Sequence, residues 1–223
     1  MTDLHSPNTE KLDDNATFLS RSALAKFHRK IILKRSKFNK LVTDKNKKIL
    51  EIGCGSGATL AYFSSRGFRN LYAIEPDVGL IKKIPGNIKA EIKNCRAKQI
   101  DFEDSTFDAV FIYGVLHHLT SFEGYNKGCN EIYRVLKPGG VLFIMEPGRY
   151  LTFRAIEIAS KYLGLFSSTL KAFSECLEEE KKEQHFFLKN HNFFRSYFNK
   201  KNFEVIVDKY FLYTWLFTAR KGE

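Results

Sequence analysis

Short apolar runs alternate with stretches of helical period along most of this chain. Residues 49–52, 71–74, 107–113 and 141–145 are runs of four to seven mostly apolar residues, the pattern of strands buried on both faces of a sheet. Residues 88–94 alternate apolar with polar and read as a further strand, and 203–210 and 212–220 read as two final strands whose short join implies a hairpin. Between them lie helical patterns at 58–63, stopped by Gly67, at 78–84 behind Asp77 as its cap, at 130–136, and at 192–201 with Asn202 at its left-handed end. Ahead of all these, 20–42 recurs on one stripe of Leu24, Phe27, Ile31, Phe38 and Leu41, broken by Lys34 and Arg35, so it reads as one helix or two. The expected fold is α/β: a doubly wound, mostly parallel seven-stranded sheet with an antiparallel edge strand.

The chemistry gathers where these strands end. Residues 49–57 run Ile-Leu-Glu-Ile-Gly-Cys-Gly-Ser-Gly, a strand followed by Gly53, Gly55 and Gly57 at alternate positions. Glycines let the backbone turn tightly and let a ligand approach with no Cβ in the way. The next strand ends in Glu75, eighteen residues past Gly57, placed to accept hydrogen bonds from ribose hydroxyls. A dinucleotide site prefers G-x-G-x-x-G facing a pyrophosphate. Here the spacing is G-x-G-x-G, and Glu51, two residues before the first glycine, would repel a pyrophosphate but suits an ammonium.

With that motif the chain resembles the class I S-adenosylmethionine-dependent methyltransferases, whose first motif is E/D-x-G-x-G-x-G. The resemblance covers 47–149, returns more faintly over 192–221, and rests on four segments in order and spacing. It implies a Rossmann-like fold and S-adenosyl-L-methionine as cofactor. Its implied cofactor residues are Glu51, Gly53, Cys54, Gly55, Ser56, Gly57, Glu75, Pro76, Arg96, Ala97, Tyr113 and Gly114. Arg96 stands where the family places an acid for the adenine amino group, and it cannot accept that bond. His117 and His118 follow the fourth strand and Glu146 the fifth; these three are the candidate catalytic bases. Glu146, Arg149 and Tyr150 are the candidate substrate contacts, Arg149 for an anionic group.

Composition narrows the picture further. The 223 residues suit one domain, read as a tail at 1–19 and a methyltransferase domain at 20–223. Residues 150–191 are longer than an αβ connection needs and read as a helical substrate lid inserted after strand five. The net charge of +11 is concentrated: 21–48 hold eleven Lys or Arg against Asp44 alone. Such a face suits nucleic acid, an anionic membrane surface or simple solvation. The four cysteines are widely spaced, no grouping has metal-ligand spacing, and residues 1–14 lack a secretory h-region, so the expected setting is cytoplasmic and metal-free. No N/D-P-P-Y or Pro-Cys motif stands at strand four, which disfavours base methylation of those two types. The expected acceptor is therefore small or lipid-like, methylated on O or N. An RNA-directed enzyme using the basic helix, or a non-catalytic S-adenosylmethionine-binding protein, are the alternatives.

Overall fold

The computed structural model describes residues 23–148 and 180–223, with a few isolated positions between them. The expected tail and most of the expected lid, including Arg149, Tyr150 and Cys176, lie outside the described residues. Seven strands form one sheet: β1 (Lys48–Ile52), β2 (Asn70–Ile74), β3 (Glu91–Lys93), β4 (Phe107–Tyr113), β5 (Leu136–Pro147), β6 (Phe203–Phe211) and β7 (Thr214–Lys221). Their order is β3-β2-β1-β4-β5-β7-β6. β1 to β5 pair in parallel, while β7 runs antiparallel to both β5 and β6. The reversed strand is thus one in from the edge, with β6 outside it. Its hairpin turns through Leu212, which adopts φ 53°.

Strand alternation sorts the core into two layers. Leu50, Ile52, Val110, Ile112, Leu142 and Ile144 face one side. There they meet Tyr125, Cys129 and Ile132 of α5 (Phe122–Val135), Phe187 of α6 (Lys181–Asn190) and Phe194 and Phe198 of α7 (Asn192–Lys200). Ile49, Ala109, Phe111, Val141, Phe143 and Met145 face the other. That side packs on α3 (Ala58–Ser65) through Leu60 and Phe63, and on the N-terminal helices α1 (Ala23–Arg35) and α2 (Phe38–Leu41). α4 (Val78–Lys82) follows β2, capped by Asp77, whose Oδ1 accepts the amides of Gly79 and Leu80 at 2.6 and 3.1 Å.

Three details depart from the sequence expectation. First, the N-terminal segment is two helices broken at Lys37, φ 63°; Phe38 of the expected stripe is buried, but the buried row before it is Arg29, Ile32, Leu33 and Ser36. Phe27 of the expected stripe is 62% exposed. The row is set by what it must reach: Ser36 donates to Leu33 O, Thr218 donates to Ser36 O, and Arg29 enters the cleft beside Glu51. Second, β5 begins at Leu136, five residues before the apolar run at 141–145 and at the last position of the helix expected over 130–136. The β4–β5 ladder pairs Phe107 with Leu136, skips by a bulge, and resumes at Ala109 with Val141. Third, α5 begins at Phe122, eight residues before its expected start, because Ser121 caps it by accepting Gly124 N–H at 3.0 Å.

Phe38 ties the N-terminal helices to the sheet. It is fully buried, with ring centroids 4.8 Å from Phe63 and 5.1 Å from Phe143. Phe38→Ala should therefore lower unfolding stability by about 3–5 kcal/mol, the range for emptying an aromatic core position. Urea denaturation measures this; a loss below about 1 kcal/mol would mean that the N-terminal segment does not pack on the sheet.

Candidate functional site

Strand order reverses between β1 and β4, so the crevice beyond their carboxyl ends is where an open α/β sheet takes a ligand. Gly53 follows β1 with φ +69°, and a Cβ there would stand 2.4 Å from Val115 Cγ2. Only glycine satisfies both the left-handed backbone and that contact. The amides of Gly53 and Cys54 donate to Ile74 O at 2.8 and 3.1 Å, lashing the glycine loop to the end of β2. Gly55 adopts φ +52°, and a Cβ added to it would meet nothing within 4 Å, so its bare backbone borders open space. Buried Cys54 and Ser56 lie within this loop, and Gly57 caps α3.

Glu51, at the end of β1, is buried, and its Oε2 has no hydrogen-bond partner. Burial raises its pKa to about 8, against the lowering effects of Thr59, which hydrogen-bonds it, and of the Arg29 charge. Such an orphaned carboxylate oxygen calls for a donor, above all a cationic one. Glu75 ends β2, with Oε2 accepting Gly55 N–H at 2.8 Å and Oε1 accepting Asp77 N–H at 3.1 Å. Each oxygen keeps a further lone pair for a hydroxyl. Burial raises its pKa, opposed by those two amides. Asn94, which sequence reasoning passed over, braces the neighbouring backbone by donating to the carbonyls of Glu75 and Pro76, both at 2.9 Å.

Arg96 is exposed in a tight turn paired with Gln99, and Ala97 is buried beneath it. Tyr113 ends β4 next to Gly114, φ +66°, and its hydroxyl meets His28 Nδ1 at 3.2 Å. His28 in turn reaches Thr214 Oγ1 at 3.3 Å and stacks on Tyr213. The inner face of α1 thus closes one side of the crevice with His28 and Arg29. Only the helix and its charge were readable from sequence, not which residues faced in.

Glu146 was a candidate base and substrate contact; the structure makes it a brace. Oε1 accepts the amides of Val115 and Leu116, both at 2.7 Å, and Oε2 meets His117 Nδ1 at 2.8 Å. Its side chain is fully buried. Shut away from solvent and serving three internal donors, this carboxylate is turned to the fold rather than presented to a substrate proton. His117 is likewise enclosed: Glu180 Oε2 stands 3.3 Å from Nε2, without the alignment of a hydrogen bond. Burial lowers its pKa, but Glu146 and Glu180 outweigh that and bring it to about 10. A histidine already protonated cannot act as general base. His118 is the accessible one of the pair, its ring 45% exposed and its Nδ1 on Glu183 Oε2. The expectation of no metal-ligand grouping also changes, because His117, His118 and Glu180 offer ligand atoms within 4.8 Å of one another. Residues 117 and 180 are brought together by folding, so no sequence spacing announces them.

Comparison with known proteins follows the same lines. Residues 50–144 match the methyltransferase domain family. Among curated relatives, a probable tRNA methyltransferase 9B of Mus musculus is 33% identical over 97 residues, covering 43% of this chain and 21% of the relative. A sterol 24-C-methyltransferase of Debaryomyces hansenii is 32% identical over 115 residues, covering 48% and 30%. The chain therefore spans less than a third of the length of these two relatives. The plantazolicin methyltransferase BpumL, solved with a substrate analogue and S-adenosylhomocysteine, shares the fold at TM-score 0.68 and 16% identity, over 97% of this chain and 91% of that one.

The protonation of Glu51 has a consequence for stability. Its folded-state pKa of about 8 lies above the usual carboxylate value. From roughly pH 4.5 to 8 the unfolded chain has given up this proton while the folded one keeps it, so stability should fall as pH rises through that window. Unfolding free energies of the wild type and Glu51→Gln, measured from pH 5 to 8.5, should diverge, the variant lacking that part of the slope. Parallel profiles would mean that Arg29 already holds Glu51 ionised.

Proposed function

We propose that this chain, whose residues 50–144 match the methyltransferase domain family, is a class I, S-adenosylmethionine-dependent enzyme that transfers a methyl group to O or N of a small or lipid-like acceptor. The observation that carries the cofactor reading is the buried, partnerless Oε2 of Glu51 at the mouth of a glycine loop. The residues fit the group: Glu51 takes the ammonium, the Gly53–Gly57 backbone borders the amino-acid portion, and Glu75 takes the ribose hydroxyls. Tyr113 and Gly114 line the approach from β4. Bound there, S-adenosylmethionine supplies an electrophilic sulfonium methyl. The chain's part is mainly positioning and water exclusion, which in-line displacement rewards most. His28 and Arg29 close the α1 side, while the Glu146 brace fixes the loop that carries His117 and His118.

The acceptor reading rests on an exposed aromatic four residues after His118. Phe122, 53% exposed, packs its ring against Tyr125, Phe186 and Phe193, each at about 6 Å. An exposed aromatic ring suits an apolar or lipid-like molecule. A second reading, an RNA acceptor, is favoured by one observation: Lys26, Lys30, Lys34, Arg35, Lys37 and Lys40 are exposed along α1 and α2. One named relative is a tRNA methyltransferase and another a sterol methyltransferase, so both acceptor kinds occur among similar domains. Among the described residues no helix is long and apolar enough to cross a membrane.

Titration calorimetry should show S-adenosylhomocysteine binding and no heat from NAD. Glu75→Ala should weaken that binding by about 1.5–3 kcal/mol, the range for hydrogen bonds to a charged group. An unchanged dissociation constant in a folded variant would place the ribose elsewhere. The acceptor is tested by incubating the protein with labelled cofactor and metabolite, lipid and RNA pools, then repeating transfer to the labelled acceptor across salt. A flat salt response, retained when Lys26, Lys30 and Lys34 are changed to Gln, supports the small acceptor. RNA binding would instead fall by about one decade per decade of salt for each phosphate contact, and that slope would shrink in the variant.

A further inference from the structure

His117 makes a full complement of contacts on one side of its ring and an incomplete set on the other. Nδ1 is held by Glu146 Oε2 at 2.8 Å, and Nε2 is buried with no hydrogen bond. That is the arrangement by which proteins orient a metal-binding imidazole: a carboxylate fixes one nitrogen, and the other becomes the ligand once the metal displaces its proton. Ahead of Nε2, at 3.3 Å, stands Glu180 Oε2. Two ligand atoms each about 2.0–2.1 Å from a tetrahedral metal ion stand roughly 3.3–3.4 Å apart, which is longer than a hydrogen bond. Glu180 is itself steadied, since Gln184 Nε2 donates to the same Oε2 at 2.6 Å and Gln184 is buried. His118 brings a second imidazole, its ring centroid 4.1 Å from that of His117. Glu183, on its Nδ1, is a further carboxylate at the rim.

From this geometry we propose that His117 Nε2, His118 and Glu180 bind a divalent first-row transition-metal ion such as Zn2+, at the edge of the crevice. Two imidazoles with a carboxylate select such an ion over Mg2+ or Ca2+, which prefer all-oxygen ligands. The three ligand atoms lie within 4.8 Å of one another, so binding requires a contraction of up to roughly 1.4 Å. Rotation of the half-exposed His118 ring supplies it. Resting on the methyltransferase reading, the ion's use is to hold an acceptor hydroxyl oxygen. Coordination lowers the hydroxyl pKa, so the O–H bond breaks with the proton leaving to water and the electron pair staying on oxygen. That would meet the need for a base in a site where Glu146 is fully buried behind His117.

Co2+ reports the site by its visible d–d absorption. Chelator-treated protein titrated with CoCl2 should take up one equivalent with bands of a tetrahedral or five-coordinate nitrogen–oxygen site, and ZnCl2 should abolish them. His118→Ala, at an exposed position, and Glu180→Gln should each weaken uptake by at least about 10–100-fold. Absence of the bands in the wild type, or equal uptake in both variants, overturns the proposal. S-adenosylhomocysteine binding by the same preparations separates the two claims: retained in His118→Ala, it leaves the cofactor reading standing whatever the metal result. Lost in a wild type that still takes up Co2+, it removes the methyltransferase reading and leaves the metal site.

Discussion

A single buried carboxylate holds the crevice together. Glu146, at the end of β5, accepts the amides of Val115 and Leu116 and the ring of His117, so the loop after β4 cannot move independently of β5. Val115 in turn lies against Gly53, where a Cβ would collide with it. The glycine loop is tied onward to β2 through Ile74 O, and Glu75 of β2 reaches back to Gly55 N–H. Four strand ends are thereby joined through one chain of contacts. Removing one partner of such a buried network leaves the others unsatisfied, which costs more than the mean worth of a hydrogen bond.

The same chain divides the acids of the crevice by role. Glu146, fully buried with three internal donors, shapes the site. Glu75, with one amide on each oxygen, braces the glycine loop while keeping capacity for a ligand. Glu51 keeps an oxygen with no partner and is held near neutrality by burial. A ligand bringing a positive charge would reverse that cost, and the protein stores the difference as affinity.

Much of this was legible because it is local. The strands announced themselves as apolar runs, and Asp77, Gly67 and Asn202 marked helix ends through side-chain capping and left-handed backbone. Glu51 and Glu75 were visible from their positions relative to strand ends. What the sequence hid was non-local. Periodicity placed a helix at 23–35 but ranked Phe27 as inward and Arg29 as outward, because hydrophobicity cannot anticipate a buried carboxylate that recruits an arginine. Leu136, expected to end a helix, instead opens the ladder with Phe107. Glu146 looked like a base from its place at a strand end; only the folded loop shows its oxygens taken. Glu180 and Glu183 fell within the segment read as a substrate lid, yet each meets a histidine more than sixty residues away.

The central claim is that the strand-end crevice receives the methyl donor with its ammonium on Glu51. A crystal structure of the protein with S-adenosylhomocysteine tests it most directly. The account predicts the ligand's amino nitrogen within hydrogen-bond reach of Glu51 Oε2 and its ribose hydroxyls on Glu75, with the Glu146 contacts unchanged. A ligand bound away from Glu51, or with its ribose on Glu51 and its amino group on Glu75, would contradict it.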